Sequence, residues 1–151
     1  MKRKIISVIL LNAMVFFALV TVHEIAHVGV GMLLGCEFGK AVLFDAKMAG
    51  PYAEMACTNA SQLVLYGSSL LATASFGLLF LTLKSPGKNL FFVIFGFSLI
   101  FSSLDIGLAT METVVYPLIA AGFGFVVLGE YCIASSCIND NLFFEMFDAR
   151  E

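Results

Sequence analysis

The sequence predicts an all-α membrane protein, a bundle of about four transmembrane helices with a short β-hairpin-like loop between the first two. The chain is 60% hydrophobic and 13% charged, whereas soluble domains average about 25% charged residues. Its mean hydropathy is +0.99. Four apolar segments are each long enough for the roughly 30 Å hydrocarbon core of a bilayer. We expect one multi-pass integral membrane domain that covers residues 1–151.

The first apolar segment covers residues 5–34 and is charged only within one pentapeptide. As a helix it would be about 45 Å long, so it must tilt or protrude from the bilayer. It is much longer than the 7–15-residue apolar core of a cleavable signal peptide. We therefore expect it to be a retained transmembrane helix.

The other three apolar segments follow at short intervals. The second covers about residues 61–83 and ends at a Lys-Ser-Pro-Gly-Lys turn signal at residues 84–88. The third covers about residues 90–109 and is interrupted only by Asp105. The fourth covers about residues 113–137, where three glycines would allow close helix packing: Gly122, Gly124 and Gly129.

The connection between the first two segments has a different composition. Residues 40–45 have strand-like content, and Ala-Gly-Pro at residues 49–51 marks a turn. This pattern predicts a short hairpin or sheet edge that dips into the membrane. Cys36 and Cys57 flank the loop and would form a disulfide if the loop faces an oxidising compartment. The alternative interpretation, given equal weight, is that these cysteines stay unpaired thiols in apolar surroundings.

Both histidines of the chain lie in the pentapeptide His23-Glu24-Ile25-Ala26-His27. On a helix, His23 and His27 project from one face about one turn apart, so both ring nitrogens can reach one tetrahedral Zn²⁺. Glu24 beside them is placed to act as a base on a water at such a metal. Polar groups of this kind are costly inside a membrane, which favours a functional role for them.

A catalytic zinc site usually has three protein ligands, and Asp105 is the best candidate for the third. It lies 15 residues into its segment and His23 lies 18 residues into a segment of the same direction. At about 1.5 Å per residue, the two residues sit at similar depths, about 22–27 Å along their helices. Glu112, seven residues later, is the second choice. Glu130 and Glu54 remain as alternatives, although an interfacial position suits both better.

A structural role for the histidines is the competing interpretation, in which two packed imidazoles adjoin a salt-bridged glutamate. No Lys or Arg lies inside the four apolar segments to pair with Glu24 or Asp105. A divalent cation would balance both carboxylates directly. We therefore predict one Zn²⁺ per chain, bound by His23, His27 and Asp105, with Glu24 as the catalytic residue.

These motifs resemble those of the site-2 protease family of intramembrane zinc metalloproteases. The family's HExxH motif is matched by residues 23–27, and its Leu-Asp-Gly motif is similar to Leu104-Asp105-Ile106-Gly107, which has one extra residue before the glycine. Leu33-Leu34-Gly35 before the strand-like loop and the glycine of Tyr66-Gly67 also resemble the family. The resemblance covers about residues 20–108. HExxH within an apolar span is a specific signal, whereas Leu-Asp-x-Gly alone is weak.

The resemblance implies a zinc endopeptidase that cleaves membrane-anchored peptides or proteins, with the loop around Val42 clamping the substrate as an added strand. The alternative is a catalytically inactive, protease-like membrane protein that binds clients or a metal ion. Expected partners are the lipid bilayer and a membrane-anchored substrate. A net charge of −3 without a basic stripe argues against nucleic-acid binding.

The chain departs from the family at two points. The family's Asn and Pro just ahead of the Asp are replaced by Ser102-Ser103, so the group that stabilises the oxyanion is not identified. The charge distribution also disagrees with the family. Four spans place Lys40 and Lys47 on one side and most basic residues on the other, which the positive-inside rule assigns to the cytoplasm: Lys2, Arg3, Lys4, Lys84, Lys88 and Arg150. The metal site would then lie nearer the outer face, whereas the resemblance implies a site nearer the cytosol.

Overall fold

The computed structural model describes residues 2–43, 52–57, 61–84, 87–109 and 112–139. Four α-helices make up most of this chain: α1 (Lys2–Leu33), α2 (Gln62–Phe80), α3 (Leu90–Ala109) and α4 (Val115–Asn139). Between α1 and α2, strands β1 (Glu37–Val42) and β2 (Tyr52–Ala56) form a two-stranded antiparallel sheet. The predicted fold class, four helices with a hairpin after the first, is confirmed.

Each of the four helices is long and apolar enough to cross a membrane. The candidate spans are Val8–Leu33, Gln62–Phe80, Gly87–Gly107 and Val115–Ser136, with mean hydropathies between 1.7 and 2.1. Large apolar side chains such as Met14, Phe17 and Leu71 are exposed on the outside of the bundle. In water this exposure would be unfavourable, but in a bilayer these side chains would face lipid.

The end of α1 is set by Gly35. Its φ of 80° lies in the left-handed region that only glycine enters at no steric cost. The Cys36 amide donates to the Gly31 carbonyl and the Gly35 amide donates to the Met32 carbonyl, which together form a Schellman cap. The cap ends α1 and redirects the chain into β1, so it fixes where the hairpin begins.

The hairpin is closed at its base and packs against α1. Cys36 and Cys57 form a disulfide that joins the start of β1 to the end of β2. Met55 on β2 packs against Gly31 of α1. On the exposed side, the Lys40 ammonium lies 2.9 Å from a Glu54 carboxylate oxygen. The strand begins three residues before the predicted residues 40–45, and the predicted turn at 49–51 lies outside the described residues.

Helices α3 and α4 approach each other closely because glycines face across the interface. A Cβ atom at Gly122 would come within 2.6 Å of the Gly96 carbonyl oxygen, and one at Gly129 would come within 2.6 Å of the Val93 side chain. Gly124 differs, because a Cβ there would meet nothing within 4 Å. Two of the three glycines expected to allow close packing therefore do so. The apolar core beside this interface contains residues from α1, α3 and α4: Val15, Leu19, Leu90, Val93, Ile94 and Ile133.

The glycine interface predicts opposite outcomes for two similar substitutions. Gly122→Ala should destabilise the bundle by about 1–3 kcal/mol, because the new methyl group meets backbone that cannot move aside without separating two helices. Gly124→Ala is the matched control on the same helix and should raise stability by up to about 1 kcal/mol, because alanine favours a helix more than glycine and its methyl group meets nothing. Reversible unfolding in mixed micelles would measure both. Equal stability of the two variants would contradict the packing described here.

Candidate metal centre

Helix α1 presents the three residues of the HExxH motif well inside the bundle. His23, Glu24 and His27 are 6%, 6% and 5% exposed, respectively. The two imidazole rings lie one turn apart with centroids separated by 4.9 Å, as expected for residues four apart on a helix. Burial of two imidazoles and a carboxylate in an apolar helix needs a compensating partner.

Helix α3 brings Asp105 to both histidines. One carboxylate oxygen, Oδ2, lies 2.8 Å from His23 Nε2 and 3.1 Å from His27 Nε2. The two Nε2 atoms are 3.3 Å apart. The structure therefore brings together all three residues that the sequence predicts as metal ligands, although 78 positions separate His27 from Asp105.

The three atoms have the spacing that a small tetrahedral metal ion requires. Zinc bonds of about 2.0–2.1 Å to nitrogen and oxygen place the donor atoms of a tetrahedron about 3.3 Å apart. The observed separations of 3.3 and 3.1 Å lie close to this value, whereas the 2.8 Å between His23 Nε2 and Asp105 Oδ2 is shorter and is a hydrogen-bond distance. An ion held by these three residues would have room for a further ligand, such as water or substrate.

The hydrogen bond of His27 assigns its tautomer. His27 Nδ1 lies 3.1 Å from the Leu65 carbonyl oxygen, which can only accept, so Nδ1 carries the proton. In the neutral ring, the Nε2 lone pair is then directed at Asp105 Oδ2, itself an acceptor. Two acceptors 3.1 Å apart repel unless a proton or a cation lies between them. A hydrogen bond from one ring nitrogen to a backbone carbonyl is the usual support of a metal-binding histidine.

The charge balance also favours a cation. The sequence has no Lys or Arg within α2, α3 or α4, or between Ile5 and Leu33 of α1. Glu24, which is buried, and Asp105, which is half-buried, therefore share one site to which these helices bring no Lys or Arg. His23 Nδ1 is also buried and has no hydrogen-bond partner among the described residues. A divalent ion would neutralise both carboxylates, so the donor set fits a bound metal.

Small polar residues of α2 and α3 surround Asp105 and were not predicted as part of the site. Ser69 and Ser102 are fully buried, and their hydroxyl oxygens lie 3.4 Å apart. Ser69 Oγ donates to the Tyr66 carbonyl at 2.9 Å and also lies 3.4 Å from Asp105 Oδ2. The i, i+4 spacing of Ser69 and Thr73 within an apolar segment was the available sequence signal. These hydroxyls let α2 approach the Asp105 side of α3 closely.

A cavity of about 480 Å³ opens beside the metal centre. Glu24, His27 and Asp105 form one wall of it. The other lining residues come from β2, from the cysteine that follows it and from the first turns of α2: Tyr52, Ala53, Met55, Cys57, Gln62, Leu65 and Tyr66. Among the described residues, the hairpin therefore forms part of the same cavity as the HExxH motif. Sequence reasoning placed the hairpin near the site but identified neither β2 nor Gln62 as lining it.

The other carboxylates considered as ligands lie in different surroundings. Glu54 pairs with Lys40 on the exposed side of the hairpin. Glu130 on α4 forms a hydrogen bond with Asn12 of α1. Glu112 begins a 3₁₀ turn, Glu112–Val114, after α3, and its side chain lies outside the described part of the structure. Asp105 is the carboxylate that joins both histidines in the group of potential metal ligands.

Comparisons of the chain with protein-family models, with curated proteins and with solved structures found no match. The proposed function therefore rests on the chemistry and geometry of this centre. The resemblance to the site-2 protease family rests on the motifs around residues 23–27 and 104–107.

Metal content should follow the three donor residues. We expect about one divalent ion per chain in the wild type. Removal of a group that only hydrogen-bonds to a metal ligand lowers metal affinity by roughly 10–100-fold. Asp105→Ala should lower the affinity by more than this, because the Asp105 carboxylate would bind the metal directly. Elemental mass spectrometry after equilibration with buffered Zn²⁺ would measure the loss. Glu54→Gln is the control and should bind like the wild type.

Glu112→Ala distinguishes between Asp105 and Glu112 as the third metal ligand. If Asp105 is the ligand, this variant keeps its metal. Loss of metal from Glu112→Ala together with retention in Asp105→Ala would contradict the assignment.

Proposed function

We propose that the protein is an intramembrane zinc metalloendopeptidase, similar to site-2 proteases, that cleaves membrane-anchored peptides or proteins. One observation carries the proposal: three donor atoms from two apolar helices converge within 3.3 Å, next to a buried glutamate that lines a cavity. A purely structural cluster would need no cavity beside it.

The donor set supports zinc as the metal, with one ion per chain. Two imidazole nitrogens and one carboxylate oxygen are a common ligand set of catalytic zinc, which keeps its fourth position for water or substrate. Zinc bound there would supply Lewis acidity, which polarises a peptide carbonyl and acidifies a nearby water. His23, His27 and Asp105 would hold the ion, and the Leu65 carbonyl would keep His27 in the required tautomer.

Glu24 is the residue placed to move protons. It follows His23 directly and lines the cavity together with His27 and Asp105, so its carboxylate lies close to where a water would attack. In this role Glu24 accepts a proton as the water oxygen bonds to the peptide carbonyl carbon. It then donates the proton to the amine nitrogen as the carbon–nitrogen bond breaks.

The hairpin supports an extended peptide as the substrate. A helical peptide hides its carbonyls in hydrogen bonds, so it must unwind before cleavage. In the part of the chain that the structure describes, β1 is the one strand paired with β2. An unwound segment that lies in the cavity beside Ala53 and Met55 could therefore add to the sheet. These β2 residues line the cavity, whereas Val42, which marks the loop expected to clamp the substrate, lies on β1.

A protease needs a hydrogen-bond donor to stabilise the oxyanion of its reaction. Whether the chain supplies one bears on the alternative proposal, an inactive protein that binds clients. Ser103 Oγ donates to the Ile100 carbonyl at 2.6 Å, and neither Ser102 nor Ser103 lines the cavity. Ser102 and Ser103, which stand where site-2 proteases have Asn and Pro, thus do not line the cavity, and this favours the inactive, client-binding protein. Tyr66 and Gln62 do line the cavity and carry an O–H and an N–H donor, which keeps catalysis chemically feasible.

Glu24→Gln tests the catalytic assignment. The amide cannot accept the proton, so cleavage should fall by roughly 10²–10⁴-fold, while the metal stays bound because its three donors are intact. Cleavage of a membrane-anchored reporter peptide in proteoliposomes would measure the rate. Glu130→Gln makes the same chemical change on α4 and should retain activity. Wild-type protein that binds zinc but cleaves no transmembrane or unfolded reporter would support the client-binding alternative.

Ala53→Phe tests the role of the hairpin. A ring on β2 would fill part of the cavity, so kcat/KM should fall while metal content stays unchanged. Ala41→Phe is the matched control, because Ala41 pairs with Ala53 across the sheet but does not line the cavity. Equal effects of the two variants on cleavage would contradict substrate binding beside β2.

A further inference from the structure

The two ends of the bundle differ in composition and structure. The hairpin end contains β1, β2, the C-terminal ends of α1 and α3, and the N-terminal ends of α2 and α4. The opposite end contains the start of α1, the end of α2, the 3₁₀ turn Gly87–Asn89 and the end of α4. This arrangement follows from four helices that cross in alternate directions.

The metal centre lies in the half of the bundle nearest the hairpin. His27 is six residues before the end of α1, about 9 Å along the helix axis, and Asp105 is four residues before the end of α3, about 6 Å. The His27 ring also bonds to Leu65, which lies in the first turn of α2. His23, by contrast, is about 32 Å from the start of α1. The compartment that faces the hairpin is therefore the one nearest the metal centre.

Basic residues are concentrated at the opposite end. Lys84 and Lys88 are exposed there, between α2 and α3, and three more basic residues open α1: Lys2, Arg3 and Lys4. The hairpin connection has Lys40 and Lys47 in sequence, and Lys40 lies 2.9 Å from Glu54. In short loops, an excess of Lys and Arg marks the cytoplasmic side of a membrane protein.

The disulfide gives an independent indication of the same orientation. Cys36 and Cys57 are bonded at the base of the hairpin, and Cys57 lines the cavity beside the metal centre. Disulfides form and persist in oxidising compartments and are rare on the cytoplasmic side. Charge and cysteine chemistry involve different residues at opposite ends of the bundle, yet both place the hairpin on the oxidising side.

We infer that the candidate metal centre opens to the oxidising, non-cytoplasmic face of the membrane, and that its substrates are membrane-anchored chains cleaved in the half of their span nearest that face. The orientation stands on charge and the disulfide alone, whereas the substrate class rests on the proposed function. This orientation is opposite to the one that resemblance to the site-2 protease family implies. The disulfide also ties β2 to the cap of α1, so one wall of the cavity is covalently fixed where thiols are oxidised.

Cysteine labelling in intact cells tests the orientation without any need for activity. Cys132→Ser and Cys137→Ser first remove the thiols of α4. Lys40→Cys at the hairpin and Lys88→Cys at the opposite end are then matched lysine replacements. With a membrane-impermeant maleimide, we expect Lys40→Cys to react in intact cells and Lys88→Cys to react only after permeabilisation. Leu43→Cys, at an exposed hairpin position, replaces Lys40→Cys if that variant does not accumulate.

The reverse labelling pattern, or reaction of both positions in intact cells, would overturn the orientation. The disulfide is tested in the Cys132→Ser, Cys137→Ser background by trapping thiols in acid and adding a maleimide–polyethylene glycol to denatured protein. A mass shift that requires prior reduction is expected, and a shift without reduction would contradict the oxidising face. Orientation as inferred together with an inactive, zinc-binding wild type would reject the proposed function and leave the orientation intact.

Discussion

The arrangement of the site depends on two carboxylates, one buried and one half-buried, that lie in apolar spans without a Lys or Arg to pair with them. Glu24 and Asp105 come from different helices and meet at two imidazoles, where one carboxylate oxygen lies within 3.1 Å of both Nε2 atoms. Buried charges are stable only when they are paired or bound to a metal. A shared cation would therefore join α1 to α3 as well as supply the chemistry that we propose.

Helix α2 makes this junction specific. Its Leu65 carbonyl accepts a hydrogen bond from His27, which fixes the ring and directs Nε2 toward Asp105. Ser69, one turn further along, lies against Asp105 and Ser102 of α3. A metal site needs its ligands oriented by neighbouring hydrogen bonds, and here one helix contacts both His27 and Asp105. The small side chains on this face also let α2 fit closely against α3.

The hairpin connects the site to its surroundings. The Schellman cap at Gly35 ends α1, and the disulfide and Met55 then hold β2 beside the metal centre. The cavity consequently has a polar wall from α1 and α3 and a wall from strand β2. This pairing suits an unwound peptide better than a small soluble ligand, because backbone at a strand edge recognises other backbone. The same elements lie at the end of the bundle that has few basic residues, so the proposed orientation decides which compartment the cavity is nearest.

Sequence alone determined the four spans, the hairpin between the first two, and the pairing of His23 and His27 on one face. Helical periodicity and hydropathy are local properties, so they can be read without coordinates. The sequence also indicated Asp105 as the third ligand. The first and third helices run in the same direction, so the rise per residue gives the depth of Asp105 and of His23 in the membrane. Height does not specify rotation about a helix axis, however, so only the tertiary structure directed Asp105 at the imidazoles. Contacts between distant segments decided the rest: the Leu65 hydrogen bond, the buried serines, the Cys36–Cys57 bond and the β2 wall of the cavity.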